Sequence, residues 1–179
     1  TSATCPVSKR LLPSLAELQP ALAKQGIPLV LLNSFSSETP EQIKEQLATV
    51  TLNPPYVHDT DLSVARALDA TTTTEVFLID SRQTLIYRGA LNDQYGIDYS
   101  VDEPRVRYLE DAVKSFLGGM APGIAATAAP GCELDLGERE GARVGDTITY
   151  HRDVSRILQR NCVQCHNDSG IAPFTLDDF

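Results

Sequence analysis

The chain has 179 residues, a net charge of −9, 42% hydrophobic and 22% charged residues. That length and composition suit one ordinary globular domain with a short appendage. The acidic excess argues against nucleic acid and anionic membrane surfaces as partners, and no apolar run approaches the roughly 20 residues that cross a bilayer.

In chain order, Cys5-Pro6 opens a helix in which Leu11, Leu12, Leu15, Leu18 and Leu22 share a face, and Gly26 stops it. The apolar run 27–33 predicts a strand buried on both sides. Ser37-Glu38-Thr39-Pro40-Glu41 is a helix start, with a second helix through about Leu47, and Tyr56-Val57 is a short strand. Asp61 is placed to cap a helix carrying Leu62, Ala65 and Leu68. Residues 76–80 and 84–89, joined across Ser81-Arg82-Gln83, read as a β-hairpin. The loop 92–103, with Tyr95 and Tyr99, is either a cover for a redox group or a plain surface loop. A last helix from about Glu103 to Leu117 carries Val106, Leu109, Val113 and Phe116 on one face, and Gly118-Gly119 ends it.

That order, with a cysteine at the first helix N-terminus, resembles the thioredoxin-like redoxin and peroxiredoxin group over residues 1–136. Ser2-Ala3-Thr4-Cys5-Pro6 resembles the peroxiredoxin pattern around the reactive cysteine. Residues 74–80 resemble the strand after the thioredoxin cis-proline loop, and residues 87–93 the strand that follows. Three departures stand out. Cys5-Pro6-Val7-Ser8 has serine where the thioredoxin dithiol has its second cysteine, and Thr74 stands at the cis-proline position. The strand that precedes the cysteine in that fold is also missing, so the sheet is expected to have an exposed gap in its middle. A further stretch of chain, or a strand from another chain assembling through those missing edges, is expected to fill it.

A helix N-terminus stabilises thiolate over thiol. Ser2, Thr4 and Ser8 are candidate hydrogen-bond donors to Cys5. A thiolate there attacks a disulfide, or a peroxide with formation of a sulfenic acid. The peroxidase reading also needs an arginine at the sulfur, for which Arg82 and Arg88 are candidates. Cys132 lies in Pro130-Gly131-Cys132-Glu133-Leu134, and a Gly-Cys at the domain end recurs in the redoxin group. Four readings stay open for Cys132: a structural disulfide with Cys5, a redox couple in which it resolves, a bond to another chain, or a free thiol; Cys5 is either reactive or a packed, inert cysteine.

Cys162-Val163-Gln164-Cys165-His166 has the C-x-x-C-H spacing that attaches haem c. Two thiols three residues apart reach the two vinyl groups of one porphyrin, and His166 becomes the proximal iron ligand. A zinc site would need further ligands, to be drawn from the scattered Cys5, Cys132, His58 and His151, and an unmodified dithiol is the third reading. Val154, Ile157 and Leu158 share a helix face ahead of the motif. Residues 149–179 resemble the start of a small c-type cytochrome domain, with the motif at the end of its first helix. None of the residues after His166 is Met or His, so no distal ligand follows. His151 is a candidate for that role or a surface residue, and a continuing chain is expected.

The fold class expected is therefore α/β, a thioredoxin-like fold followed by a short α-helical cytochrome c-type segment. Its parts are a redoxin domain at 1–136, a polar glycine-punctuated linker at 137–148, and the start of a haem domain at 149–179. The implied function is extracytoplasmic electron transfer, periplasmic or secreted, with haem c as cofactor and a redox protein or neighbouring domain as partner. Thiol–disulfide exchange or peroxide reduction at Cys5 would be its enzymatic side. The alternative is a chemically silent thioredoxin-like scaffold carrying a haem within a longer chain, such as a copper monooxygenase fusion or a haem assembly.

Overall fold

The structure, a computed structural model, describes residues 1–96, 99–137, 150, 154–163 and 176. Its two compact units are Thr1–Leu136 and Gly137–Phe179. In the first, helix α1 spans Pro6–Lys24. Proline suits the first helical position because its missing N–H would find no partner there. Pro13 and Pro20 lie inside the helix, and each removes one i→i−4 bond, so α1 depends on packing. Leu11 and Leu22 enter one apolar cluster with Leu78, Tyr87, Leu91, Leu109, Ala112 and Val113. Leu12 enters a second with Leu31 and Leu52. Neighbouring leucines of one helix thus bind it to both halves of the domain, and its N-terminus stands where those halves meet.

Each half holds a two-stranded sheet. Strand β1 (Leu31–Asn33) pairs in parallel with β2 (Tyr56–His58), Asn33 opposite His58. Strand β3 (Val76–Ile79) pairs antiparallel with β4 (Leu85–Gly89), Leu78 opposite Tyr87. The two sheets do not pair with each other. Between them lies a cavity of about 440 Å³, lined by Leu31 and Leu32 from one side and residues 76–79 from the other. This is the gap the sequence leads one to expect. The β1 strand is shorter than the predicted 27–33 because Ile27 N–H is bonded to Leu22 O at 3.0 Å, closing α1, and Pro28 has no N–H to give.

Helix α2 (Pro40–Leu47) starts in a reciprocal capping box: Thr39 Oγ1 accepts from Gln42 N and Thr39 N donates to Gln42 Oε1. Helix α3 (Ser63–Leu68) corrects an expectation. Asp61 accepts from Ser63 N, while the buried Asp59 takes the N–H groups of Val64 and Ala65 at 3.1 and 2.9 Å. Asp59 is therefore the principal cap. Helix α4 (Tyr108–Leu117) begins later than the predicted 103. Asp93 Oδ1 captures the N–H groups of Arg105 and Val106, and Asp93 N donates to Val106 O, which holds this leg extended.

The chain after α4 returns along β4: Arg88 N donates to Ala125 O, and Thr127 N to Arg88 O. It comes very close here, since a Cβ on Gly89 would stand 2.2 Å from Thr127 Oγ1. It then crosses to the loop before β3. Thr72 bridges Glu133, Thr73 N donates to Cys132 O at 3.0 Å, and Leu134 N to Thr71 O at 3.0 Å.

In the second unit, α5 spans Ser155–Asn161, and Cys162 follows as its C-cap. Of the predicted linker only Gly137 is described, and His151, Cys165 and His166 lie outside the described residues. Among the described residues no helix is long and apolar enough to cross a membrane.

Candidate redox site

Cys5 is the residue on which the two halves converge. It precedes the first turn of α1 and is 1% exposed. Cys132 arrives from the other end of the domain on the 132–134 crossing and is exposed. Both are free thiols. Thr73, on the loop before β3, links them: its hydroxyl donates to Cys5 Sγ at 3.1 Å and accepts the Cys132 N–H at 3.1 Å.

The acidity of the pair follows from these contacts. Burial pushes the Cys5 thiol up. Donors outweigh it: the Thr73 hydroxyl, the Ser8 backbone N–H, and the Cys132 side chain and N–H bring Cys5 below the ordinary thiol value. Cys132 goes the other way. Its bond to the Cys5 sulfur holds its proton, and burial and the charges of Cys5 and Glu38 add to the rise. Of the two thiols, Cys5 is therefore the one that gives up its proton more readily.

The loop that carries Thr73 is itself tied down. Thr74 Oγ1 donates to Pro130 O. Glu75 accepts from Thr71 N and Oγ1 and pairs with Arg88 at 2.6 Å. The Arg88 guanidinium also lies 5.3 Å from the Phe77 ring centre. Gly131 lets the two loops meet, at φ 147° and with Thr73 Oγ1 2.8 Å from where a Cβ would sit.

Several expectations are corrected here. Arg88 is committed to Glu75 and the Asp69 carbonyl, and Arg82 sits in the β3–β4 turn, where its N–H serves Asp80. Neither arginine touches the sulfur. The Ser2 and Thr4 hydroxyls go to Glu38 instead of Cys5, and Ser8 serves the sulfur through its backbone. The hydroxyl at the sulfur belongs to Thr73, one residue before the Thr74 singled out from the sequence. No cis peptide occurs among the described residues. Two contributors, Thr73 and Glu38, carry no motif. The only signal for them is a run of four threonines before a strand and a glutamate just outside a helix start.

Comparison with known proteins agrees with this architecture. A model of the AhpC/TSA family matches residues 1–88. A hypothetical protein from Sinorhizobium meliloti superposes with TM-score 0.65 and 28% identity, covering 74% of each chain. An uncharacterized conserved protein from Geobacillus kaustophilus does so with TM-score 0.64 and 24% identity, covering 73% of this chain and 70% of its own. No curated protein matches the chain. Residues 1–88 carry an AhpC/TSA, thioredoxin-like redoxin domain, and the fold is a mixed α/β thioredoxin-like one.

Proposed function

We propose that the first unit is a dithiol redox domain in which Cys5 attacks and Cys132 resolves. The observation that carries this reading is the Thr73 hydroxyl, which donates to Cys5 Sγ and accepts the Cys132 N–H and so brings two free cysteines from opposite ends of the domain to one place. The serine at position 8 then costs the domain nothing, because Cys132 supplies the second thiol from the far end of the sequence.

The chemistry balances as thiol–disulfide exchange. Cys5 thiolate attacks one sulfur of a substrate disulfide, that S–S bond breaks, and the first substrate thiolate leaves. Cys132, its proton passing to that thiolate or to solvent, attacks Cys5 Sγ. The mixed disulfide breaks, a Cys5–Cys132 disulfide forms, and the second substrate thiolate departs. Two electrons have passed to the substrate, and a reducing dithiol partner restores the pair. Peroxide reduction is the weaker reading, since neither candidate arginine lies at the sulfur.

The second unit extends the reading to an extracytoplasmic electron-transfer protein holding haem c. Cys162 and Cys165 would carry the thioether bonds and His166 the iron. Cys162 is half-buried at the end of α5, its N–H bonded to Leu158 O at 2.8 Å, which suits attachment at a helix C-terminus. Bound haem supplies one-electron transfer. Absorption spectra and intact mass of protein made with a cytochrome c maturation system test this part: one covalent haem supports it, and haem-free protein refutes it.

The test of the thiol reading is reaction of the reduced protein with one equivalent of an aromatic disulfide, followed by peptide mapping. A Cys5–Cys132 disulfide is expected, and Cys132→Ser should stop at a mixed disulfide on Cys5. A label resting on Cys132 with Cys5 untouched would sink the reading, as a chemically silent scaffold requires.

A further inference from the structure

We propose that Glu38 is a positioning residue for Cys5: its carboxylate gathers residues 2–4 and, through the Ser2 hydroxyl, fixes the Cys5 backbone. This rests on the reading of Cys5 as the attacking thiol. Glu38 is 3% exposed and lies between β1 and α2, its own N–H bonded to Phe35 O. Its Oε1 accepts from Ser2 Oγ at 2.5 Å, Thr4 N at 2.8 Å and Thr4 Oγ1 at 2.6 Å. Its Oε2 accepts from Ala3 N at 2.7 Å and Asn33 Nδ2 at 2.6 Å. Every residue from 2 to 4 donates to this one side chain.

The link to Cys5 runs through Ser2. Because the Ser2 hydroxyl gives its proton to Glu38, its lone pairs face back and accept Cys5 N at 3.1 Å and Thr4 N at 3.2 Å. Ser2 is held from two other directions, its N–H on Ser8 Oγ and its carbonyl under Gln46 Nε2. A loop without regular structure is thereby given one conformation, the one that aims Cys5 Sγ at Thr73, Cys132 and the Ser8 N–H.

A carboxylate is the group this requires. Five donors converge on it, and an amide would turn an NH2 toward some of them. Its charge works against the thiolate. That charge is felt at Cys132 and at Tyr56. Positioning and electrostatics therefore predict opposite effects of neutralising Glu38.

The experiment follows alkylation of Cys5 against pH in the full chain, resolved by peptide mass, for wild type, Glu38→Gln and Ser2→Ala. Positioning predicts that Glu38→Gln moves the midpoint up by about one pH unit, with about tenfold slower alkylation below both midpoints. Ser2→Ala keeps the charge, cuts the link, and should shift the midpoint in the same direction by less. A downward shift in Glu38→Gln means a purely electrostatic influence, and an unmoved midpoint a purely structural one; either overturns the proposal. Should Glu38→Gln not fold, an unmoved midpoint in Ser2→Ala overturns it alone. A wild-type midpoint at the ordinary thiol value refutes the attacking-thiol reading itself. Amide exchange at Ala3, Thr4 and Cys5 then judges Glu38: at least about tenfold faster in the folded variant if Glu38 holds the loop, unchanged if it does not.

Discussion

Thr73→Val isolates the contact on which the thiol chemistry turns. Valine keeps the branched shape and deletes the hydroxyl that donates to Cys5 Sγ at 3.1 Å and accepts from Cys132 N at 3.1 Å. A hydrogen bond to a charged acceptor is worth about 1.5–3 kcal/mol, and a pKa unit corresponds to about 1.4 kcal/mol. The Ser8 N–H and the Cys132 donors remain and recover part of the loss. The Cys5 midpoint should therefore rise by about one unit, and alkylation below it should slow about tenfold. The Cys132 N–H loses its acceptor as well, costing about 1 kcal/mol of stability. Peptide-resolved alkylation from pH 5 to 10 reads the first effect and urea unfolding the second. An unmoved Cys5 midpoint in a variant with lowered stability would refute the reasoning, because it would make the Thr73 contact structural only.

Three other predictions concern the frame around the site. Gly131→Ala puts a Cβ 2.8 Å from Thr73 Oγ1 at φ 147°. It should cost about 1–3 kcal/mol and slow Cys5–Cys132 closure, read by unfolding and by quenched oxidation; closure at the wild-type rate would contradict the close approach. Tyr87, fully buried, donates to Ala90 O at 2.6 Å; Tyr87→Phe leaves that carbonyl without this donor and should lower stability by about 1–2 kcal/mol in urea titration. Glu38 is held down to about 2 from 4.5: burial works to raise it, and the Ser2, Thr4, Ala3 and Asn33 donors prevail. A depressed carboxylate stabilises the fold above its unfolded pKa. Up to about 3 kcal/mol should therefore be present above pH 4.5 and fade as pH falls toward 2. In Glu38→Gln that slope should be missing, and an identical acid profile would contradict it.

Much of this domain is legible locally. The leucine spacing gives α1, the stretch Ser37-Glu38-Thr39-Pro40-Glu41 brackets the start of α2, and the two apolar runs around Ser81-Arg82-Gln83 give the hairpin, because each is decided by neighbours in sequence. The errors arise where a side chain outside the expected element takes a backbone N–H: Asp93 from Arg105 and Val106, delaying α4, and Asp59 from the start of α3. The closing of α1 by Ile27 N shortens β1 in the same manner. The site is less legible still. Cys5 is marked by its helix start, but its partners come from positions 73 and 132 through two successive crossings of the chain. Glu38 reads in sequence as the approach to a helix, and only the turn at Phe35 points it back under Ser2.

A redox titration tests the central claim most directly. The full chain is equilibrated in dithiol–disulfide buffers of graded potential, quenched with an alkylating reagent and mapped by peptide mass. The account predicts that Cys5 and Cys132 lose their alkylation sites together, in one two-electron transition spanning about 30 mV per tenfold change, with a Cys5–Cys132 linkage in the oxidised form. Cys5 left alkylatable at every potential, or linked to any other cysteine, would contradict it.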